Sequence, residues 1–321
     1  MSRVVKKNSY RPPQSTGLLK AMQQISNEIG GEASELSGLF GQIRKVVVNN
    51  SLILQNSSDF DIDFEIPFDD DAEINESIIT VYNLSLTTLG QIKEGVPITV
   101  EAGYEKDSIG QILSGRVIGV RSYWDDLDYV TEIKCNDYIG TSDQELKDIA
   151  FPANTAGSQI LKDLAGRLGI PIAIFQVARD HVFENPVKIS GSIMDSLRKY
   201  AKVCGVHAWI NKSNLYICPL ATPLSEGYFD LKTETGLLSV EEWQETETLE
   251  QSQEAKKAGE KAQTETIHGV TVKMLLQHRI YTGCTIQITS RNVNGRFKVR
   301  EGSHSADDDS FTTTVKAERM G

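Results

Sequence analysis

Between Phe60 and Ile66 the chain alternates without a break. Phe60, Ile62, Phe64 and Ile66 are apolar, and Asp61, Asp63 and Glu65 between them are carboxylates. A period of two sends successive side chains to opposite faces, so this run folds as a strand with one face buried and the other wet. A one-residue slip would exchange the faces, which fixes the register wherever a core exists. The result is a row of three carboxylates on one side of a sheet, ended by Pro67 and the turn-forming Asp69-Asp70-Asp71.

The same reading extends over residues 44–142. Val46 to Val48 and Leu52 to Leu54 flank Asn49-Asn50-Ser51, a hairpin signal. Ile78 to Tyr82 is a strand, Ser85 caps a helix from Leu86 to Lys93, and Gly95 closes it. Strands follow over Ile98 to Tyr104, Gly110 to Tyr123 and Asp128 to Cys135. Residues 143–222 change character. Asn154 or Thr155 caps a helix from Ala156 to Leu168, and Ser192 caps another from Ile193 to Cys204. Gly169 and Gly205 serve as stops. A strand over Ile170 to Val177 and a hairpin around Asn211-Lys212-Ser213-Asn214 complete a small α+β unit. Residues 223–321 return to β, with strands over Val270 to Leu276, Cys284 to Ser290, Arg296 to Glu301 and Phe311 to Ala317. Asn294-Gly295 marks a hairpin turn, His304 a turn between the last two strands, and Asp307-Asp308-Asp309 another. Residues 246–265 hold one large apolar group, Leu249, among alternating Glu and Lys, and read as a charged insertion. Two β segments of similar length around an α+β unit suggest a distant internal duplication.

Residues 1–43 form an appendage. Leu18, Met22, Ile25 and Ile29 recur at helical spacing, and nothing else in the segment can cover that stripe, so it calls for a cover, either a partner surface or the chain's own neighbouring domain.

Charge is concentrated. The chain of 321 residues carries a net −11, and residues 51–150 alone hold 21 acidic against 6 basic side chains. Such a surface does not hold nucleic acid through phosphate contacts. No stretch is apolar for long enough to span a membrane as a helix. Met1 to Lys7 is basic but no apolar run follows, so no secretory signal is expected. Cys135, Cys204, Cys218 and Cys284 make no CxxC pair, which argues against zinc modules and a disulfide framework.

Chemical signatures are missing where an enzyme would need them. His181, His207, His268, His278 and His304 form no close ligand pair, and there is no nucleophile elbow, phosphate loop or dinucleotide fingerprint. A glycosidase needs one carboxyl in an apolar pocket, whereas these carboxylates lie on the wet face of a strand and in a turn. Asp69-Asp70-Asp71 lacks the EF-hand pattern. No catalytic residue, metal or cofactor is therefore expected. Trp124, Trp209 and Trp243 stand near strand ends and read as core or interface anchors.

Two stretches carry a family resemblance. The first runs from Ser77 through Ser85 and its helix to Gly95–Tyr104 and Gly110–Val120. The second runs from Gly269 to Leu276, through Arg279–Cys284, to Val293–Val299 and the His304 segment. With the middle unit from Ser192 to Pro219, they resemble the baseplate hub proteins of contractile-tailed phages and R-type bacteriocins. Gln277-His278 departs from the Asn-Pro typical of that family. The resemblance implies a mainly β fold with two tail-tube-like β-barrel domains, 44–142 and 223–321, flanking the small α+β domain 143–222. It implies a non-enzymatic homotrimeric ring at the tail baseplate, made in the bacterial host cytoplasm, that adapts a sixfold tail tube to a threefold central spike. Its partners would be the tube and spike proteins, and also tape measure and baseplate wedge proteins, with DNA passing through the lumen unbound and no membrane contact. Asp61, Asp63 and Glu65 would then line the lumen, and the arm bearing Leu18, Met22, Ile25 and Ile29 would touch a neighbouring subunit or the tape measure. The alternatives are a tail-tip cell-wall hydrolase, which needs a convergent acid pair, and a carbohydrate-binding adhesin, which needs an exposed aromatic platform.

Overall fold

Asn49 and Asn50 adopt φ of 50° and 54°, a left-handed conformation that asparagine tolerates better than most residues. This turn folds β1 (Gln42–Val48) back on β2 (Leu52–Gln55). The structure is a computed structural model and describes residues 41–56, 60–69, 75–137, 146–177, 179–219, 222, 224, 228–248 and 264–320. The apolar stripe at Leu18, Met22, Ile25 and Ile29 lies outside the described residues, as does most of the charged insertion.

The first β segment continues with β3 (Ile62–Phe68), β4 (Glu76–Tyr82), helix α1 (Leu86–Leu89), β5 (Pro97–Tyr104), β6 (Ile109–Asp125) and β7 (Asp128–Asn136). Ser85 caps α1 by accepting from the Thr88 amide, as its sequence position predicts. The helix is shorter than the expected Leu86–Lys93. Beyond Gly90 the chain tightens into three-residue turns, with Gln91 N donating to Thr88 O and Ile92 N to Leu89 O. β3 runs through Pro67, which the sequence reading placed at its end. Proline cannot donate to a ladder, yet the strand stays paired with a later one on the far side of this position.

The middle unit contains β8 (Leu146–Phe151), β9 (Thr155–Ala156), α2 (Gly157–Leu168), β10 (Ile172–Phe175), β11 (Val182–Phe183), β12 (Val187–Gly191), α3 (Ile193–Val203), β13 (His207–Asn211) and β14 (Asn214–Cys218). α3 is capped by Ser192, which accepts from the Asp195 amide. α2 is not capped by Asn154 or Thr155. Ala156 occupies the cap position, Thr155 is in β9, and the free amide of Ser158 is met by Asp180 at 2.8 Å. A carboxylate from 22 residues downstream does the work of a local cap. Ile160, Leu161, Leu164 and Leu168 of α2 pack with Leu197, Tyr200 and Ala201 of α3 in one core.

The last segment comprises β15 (Phe229–Leu231), β16 (Leu237–Thr248), β17 (Thr264–Leu275), β18 (Thr285–Thr289), β19 (Asn294–Ala306) and β20 (Phe311–Arg319). β16 and β17 stay paired out to Thr248 and Thr264, so both ends of the charged insertion are strand rather than loop. The β18–β19 hairpin turns at Ser290–Val293, where Ser290 and Val293 exchange hydrogen bonds. Asn294 and Gly295 are already in β19, opposite Thr289 and Ile288. His304 is likewise inside β19 and not in a turn.

Thirteen strands join in one sheet, ordered β16-β17-β20-β19-β3-β4-β7-β6-β5-β1-β2, with β18 on β19 and β15 on β18. The two β segments therefore meet at β3–β19, where Phe68 faces Gly302 and Phe64 faces Ala306. Among the described residues the strand path is open from β16 to β2 and no barrel closes. β19 is the branch point: one edge pairs with β20, and the other is divided between β18 and β3. The cores exchange residues across this seam. Phe68 of β3 sits in the core of the last segment, while Leu275, Leu276, Ala306 and Phe311 sit in the core of the first.

Candidate functional site: the acidic strand and the seam

β3 buries Ile62, Phe64, Ile66 and Phe68 and leaves Asp61 and Glu65 exposed on its other face. The alternation read from sequence thus sets the burial pattern. Glu65 accepts a hydrogen bond from Ser305, its cross-strand partner on β19. Asp63 is different. Its carboxylate is ion-paired with Arg44 at 3.1 Å and accepts from the Tyr82 hydroxyl at 3.0 Å. Burial pushes its pKa up to about 6, against the lowering effects of Tyr82 and Arg44, and the charges of Asp61 and Asp308 add to the rise. The acidic row therefore gathers Asp61, Asp63, Glu65 and, from the β19–β20 turn, Asp308.

Arg44 organises this corner. It is 8% exposed and donates to the carbonyl of Ile62 at 2.8 Å and to that of Asp307 at 2.8 Å. Its guanidinium lies 5.6 Å from the ring centroid of Phe311. A planar five-donor group suits a site that must bind several acceptors at once. Sequence reasoning missed Arg44, although a signal was present: it shares the parity of Val46 and Val48 on β1, the face that goes inward.

His304 closes the other side of the seam. It is 1% exposed, its Nδ1 lies 2.8 Å from Thr313 Oγ1, and its ring centroid is 5.0 Å from that of Phe68. Burial holds its pKa down at about 3, so the imidazole is neutral near pH 7. Gln277-His278, the departure from the family pattern, makes a second joint. Gln277 Oε1 accepts from Arg279 Nε at 2.9 Å, and the His278 carbonyl accepts from Lys212 Nζ of the middle unit at 3.1 Å. Ser213, next to that lysine, donates to the carbonyl of Ser114 on β6 at 2.8 Å. The turn of the β13–β14 hairpin is thus plugged between the two β segments. Nearby, Asp137 is buried with Asn75 Nδ2 3.4 Å from its Oδ2, and burial raises its pKa to about 7. Trp209 is a core residue stacked on Tyr216, whereas Trp124 is 71% exposed. Among the described residues no three His, Cys, Asp or Glu groups are placed to hold a metal ion, and no helix is long and apolar enough to cross a membrane.

The fold is that of tail proteins. It matches the tail protein from Neisseria meningitidis MC58 with a TM-score of 0.61 at 10% identity, covering 88% of this chain and 98% of that one. It matches the 43 kDa tail protein of prophage MuSo2 from Shewanella oneidensis with a TM-score of 0.60 at 11% identity, covering 87% and 98%. An E. coli component of the type VI secretion system, described as structurally similar to the T4 bacteriophage tail proteins gp27 and gp5, matches with a TM-score of 0.54 at 12% identity, covering 86% and 77%. No curated protein sequence matches. Residues 74–248, more than half of the chain, match the family model described as baseplate hub gp41. The chain belongs to this baseplate hub family, as the resemblance carried by its strands and turns implied.

Proposed function

We propose that this protein is a structural, non-enzymatic hub of a contractile tail baseplate and that three copies close into a ring. In this reading each copy contributes two tube-like sheet units, one from each β segment, and the ring therefore offers six positions to the tail tube and three to the central spike. The β3–β19 join carries the proposal. It holds two β segments from opposite parts of one chain side by side in a single sheet, which is what one subunit needs in order to fill two of six positions. Closing such sheets edge to edge between copies would also cover strand edges that an isolated subunit leaves bare.

The acidic row supports a lumen through which DNA slides. Asp61 and Glu65 are exposed and Asp308 adjoins them, whereas the charge of Asp63 is balanced by Arg44. Carboxylates facing the bore repel phosphates and prevent sticking. The partners in this reading are the chain itself, the tube protein and the spike protein, with tape measure and wedge proteins at its periphery and the 1–43 arm as a contact. Native mass spectrometry of the full chain mixed with the tube and spike proteins tests it. Complexes with three hub chains per spike trimer support the reading, and complexes with one or two hub chains per spike trimer overturn it.

A further inference from the structure

An ionised carboxylate oxygen only accepts, so a buried one must be met by a donor or a cation. Asp137, just past the end of β7, is 7% exposed. The backbone amides of Asn75 and of Asp137 itself lie near its carboxyl, yet Oδ1 is left without a hydrogen-bond partner. The strongest side-chain charge acting on this group is that of Asp69, which has the same sign. Two like charges brought together out of water are costly unless something positive joins them.

Asn75 links the two acids. It lies one residue beyond the β4–β7 ladder, where Glu76 faces Asn136, and it is 9% exposed. Its Nδ2 is 3.4 Å from Asp69 Oδ1 and 3.4 Å from Asp137 Oδ2. Both separations exceed the roughly 2.7–3.2 Å of a good N–H···O bond. They match the distance of about 3.4 Å between two oxygens held at right angles, each about 2.4 Å from one calcium ion. Magnesium, with its oxygens at about 2.0–2.1 Å, would need them about 2.9 Å apart. A half-turn of the Asn75 amide puts its oxygen where the nitrogen stands and supplies the third corner. Ser77, two residues along on the same buried face, also has its Oγ without a partner.

We propose that Asp69, Asn75 and Asp137 hold a calcium ion, with Asp137 binding through both oxygens and water completing the shell. Calcium takes about 6–8 oxygens and accepts bidentate carboxylates, amide carbonyls and water in flexible geometry. A water molecule in the same place would satisfy Oδ1 and leave the two carboxylates unbalanced. The ion fastens the end of β3 to β4 and β7. Ser213 of the middle unit donates to the Asp137 carbonyl at 3.4 Å, so the ion also steadies the seat of the β13–β14 hairpin.

The site lies within one chain, so its test does not depend on the ring. Titration calorimetry of the chelator-treated full chain with calcium chloride should give a site with a Kd of about 0.1–1 mM, for which magnesium at about 10 mM competes poorly. Calcium should also raise the melting temperature. Asp137→Asn should weaken binding about tenfold or more and abolish the thermal shift, while Asn75→Asp, which adds a charged ligand, should tighten binding about tenfold. The proposal is overturned by the absence of heat and of a thermal shift up to about 10 mM calcium, by magnesium binding equally well, or by unchanged binding in Asp137→Asn. If Asp137→Asn does not fold, Asn75→Asp decides: tighter binding supports the site, and equal or weaker binding overturns it.

Discussion

Arg44 on β1 donates to the backbone carbonyl of Asp307, 263 positions further along the chain, at 2.8 Å. The same guanidinium holds Asp63 at 3.1 Å, so a single side chain ties together β1, β3 and the β19–β20 turn. Removing it leaves a largely buried carboxylate and two carbonyls without their donor. Arg44→Ala should therefore lower the unfolding free energy by about 3 kcal/mol, the usual cost of breaking one side of a buried pair. Adding Asp63→Asn should restore part of the loss. Urea unfolding of the two variants and of their combination checks this as a double-mutant cycle.

Acid response should expose two opposed groups. The pKa of Asp63 is raised from 3.8 to about 6, so the folded state holds a proton that the unfolded chain has released, and this group makes stability fall as pH rises from about 4 to about 6. The pKa of His304 is lowered from 6.5 to about 3, so in the same window the unfolded chain binds the extra proton and stability rises with pH. In Asp63→Asn only the histidine effect, with that of His278, is left to oppose Asp137. The urea midpoint of this variant should drop more steeply than that of the wild type between pH 6 and pH 4.

Gly110 marks a close approach. A Cβ there would lie 2.0 Å from His278 Cδ2, so Gly110→Ala forces the Gln277-His278 corner off β6. We expect a loss of about 1–3 kcal/mol, typical of overpacking. In a His278→Ala background the same change should cost much less, because the clash is with the imidazole. Thermal denaturation of the single and double variants decides this.

If the acidic row lines the bore, reversing its charge should leave assembly intact and impair passage. Particles carrying Asp61→Lys and Glu65→Lys should form in normal number, retain DNA in the hub and deliver less of it. Quantifying DNA release from purified particles, at low and high salt, checks the electrostatic origin, since screening should reduce the defect.

Local patterns were legible. The strand at Phe60–Ile66 was readable because its period of two is imposed by neighbours in sequence, and the Ser85 and Ser192 caps because a cap acts within three residues. Where a distant segment supplied the partner, the reading failed. Glu301-Gly302-Ser303-His304-Ser305 has the polar, glycine-bearing composition of a turn. It is strand because β3 and β20 flank it on both sides, and Gly302 is needed there since a Cβ would lie 2.4 Å from the Thr314 carbonyl and 2.7 Å from the Phe68 ring. Asp180 capping α2 and Arg44 gripping Asp307 are of the same kind. Of the candidate site, the carboxylate row was visible in sequence, while its arginine, its tyrosine and the seam beside it depend on contacts that close only in the folded chain.

The central claim is that three copies make one ring. Light scattering on a size-exclusion column, applied to the full chain over a range of concentrations, tests it most directly. The account predicts a species of three times the 35.5 kDa of one chain. A particle of one or two chains at every concentration would contradict it.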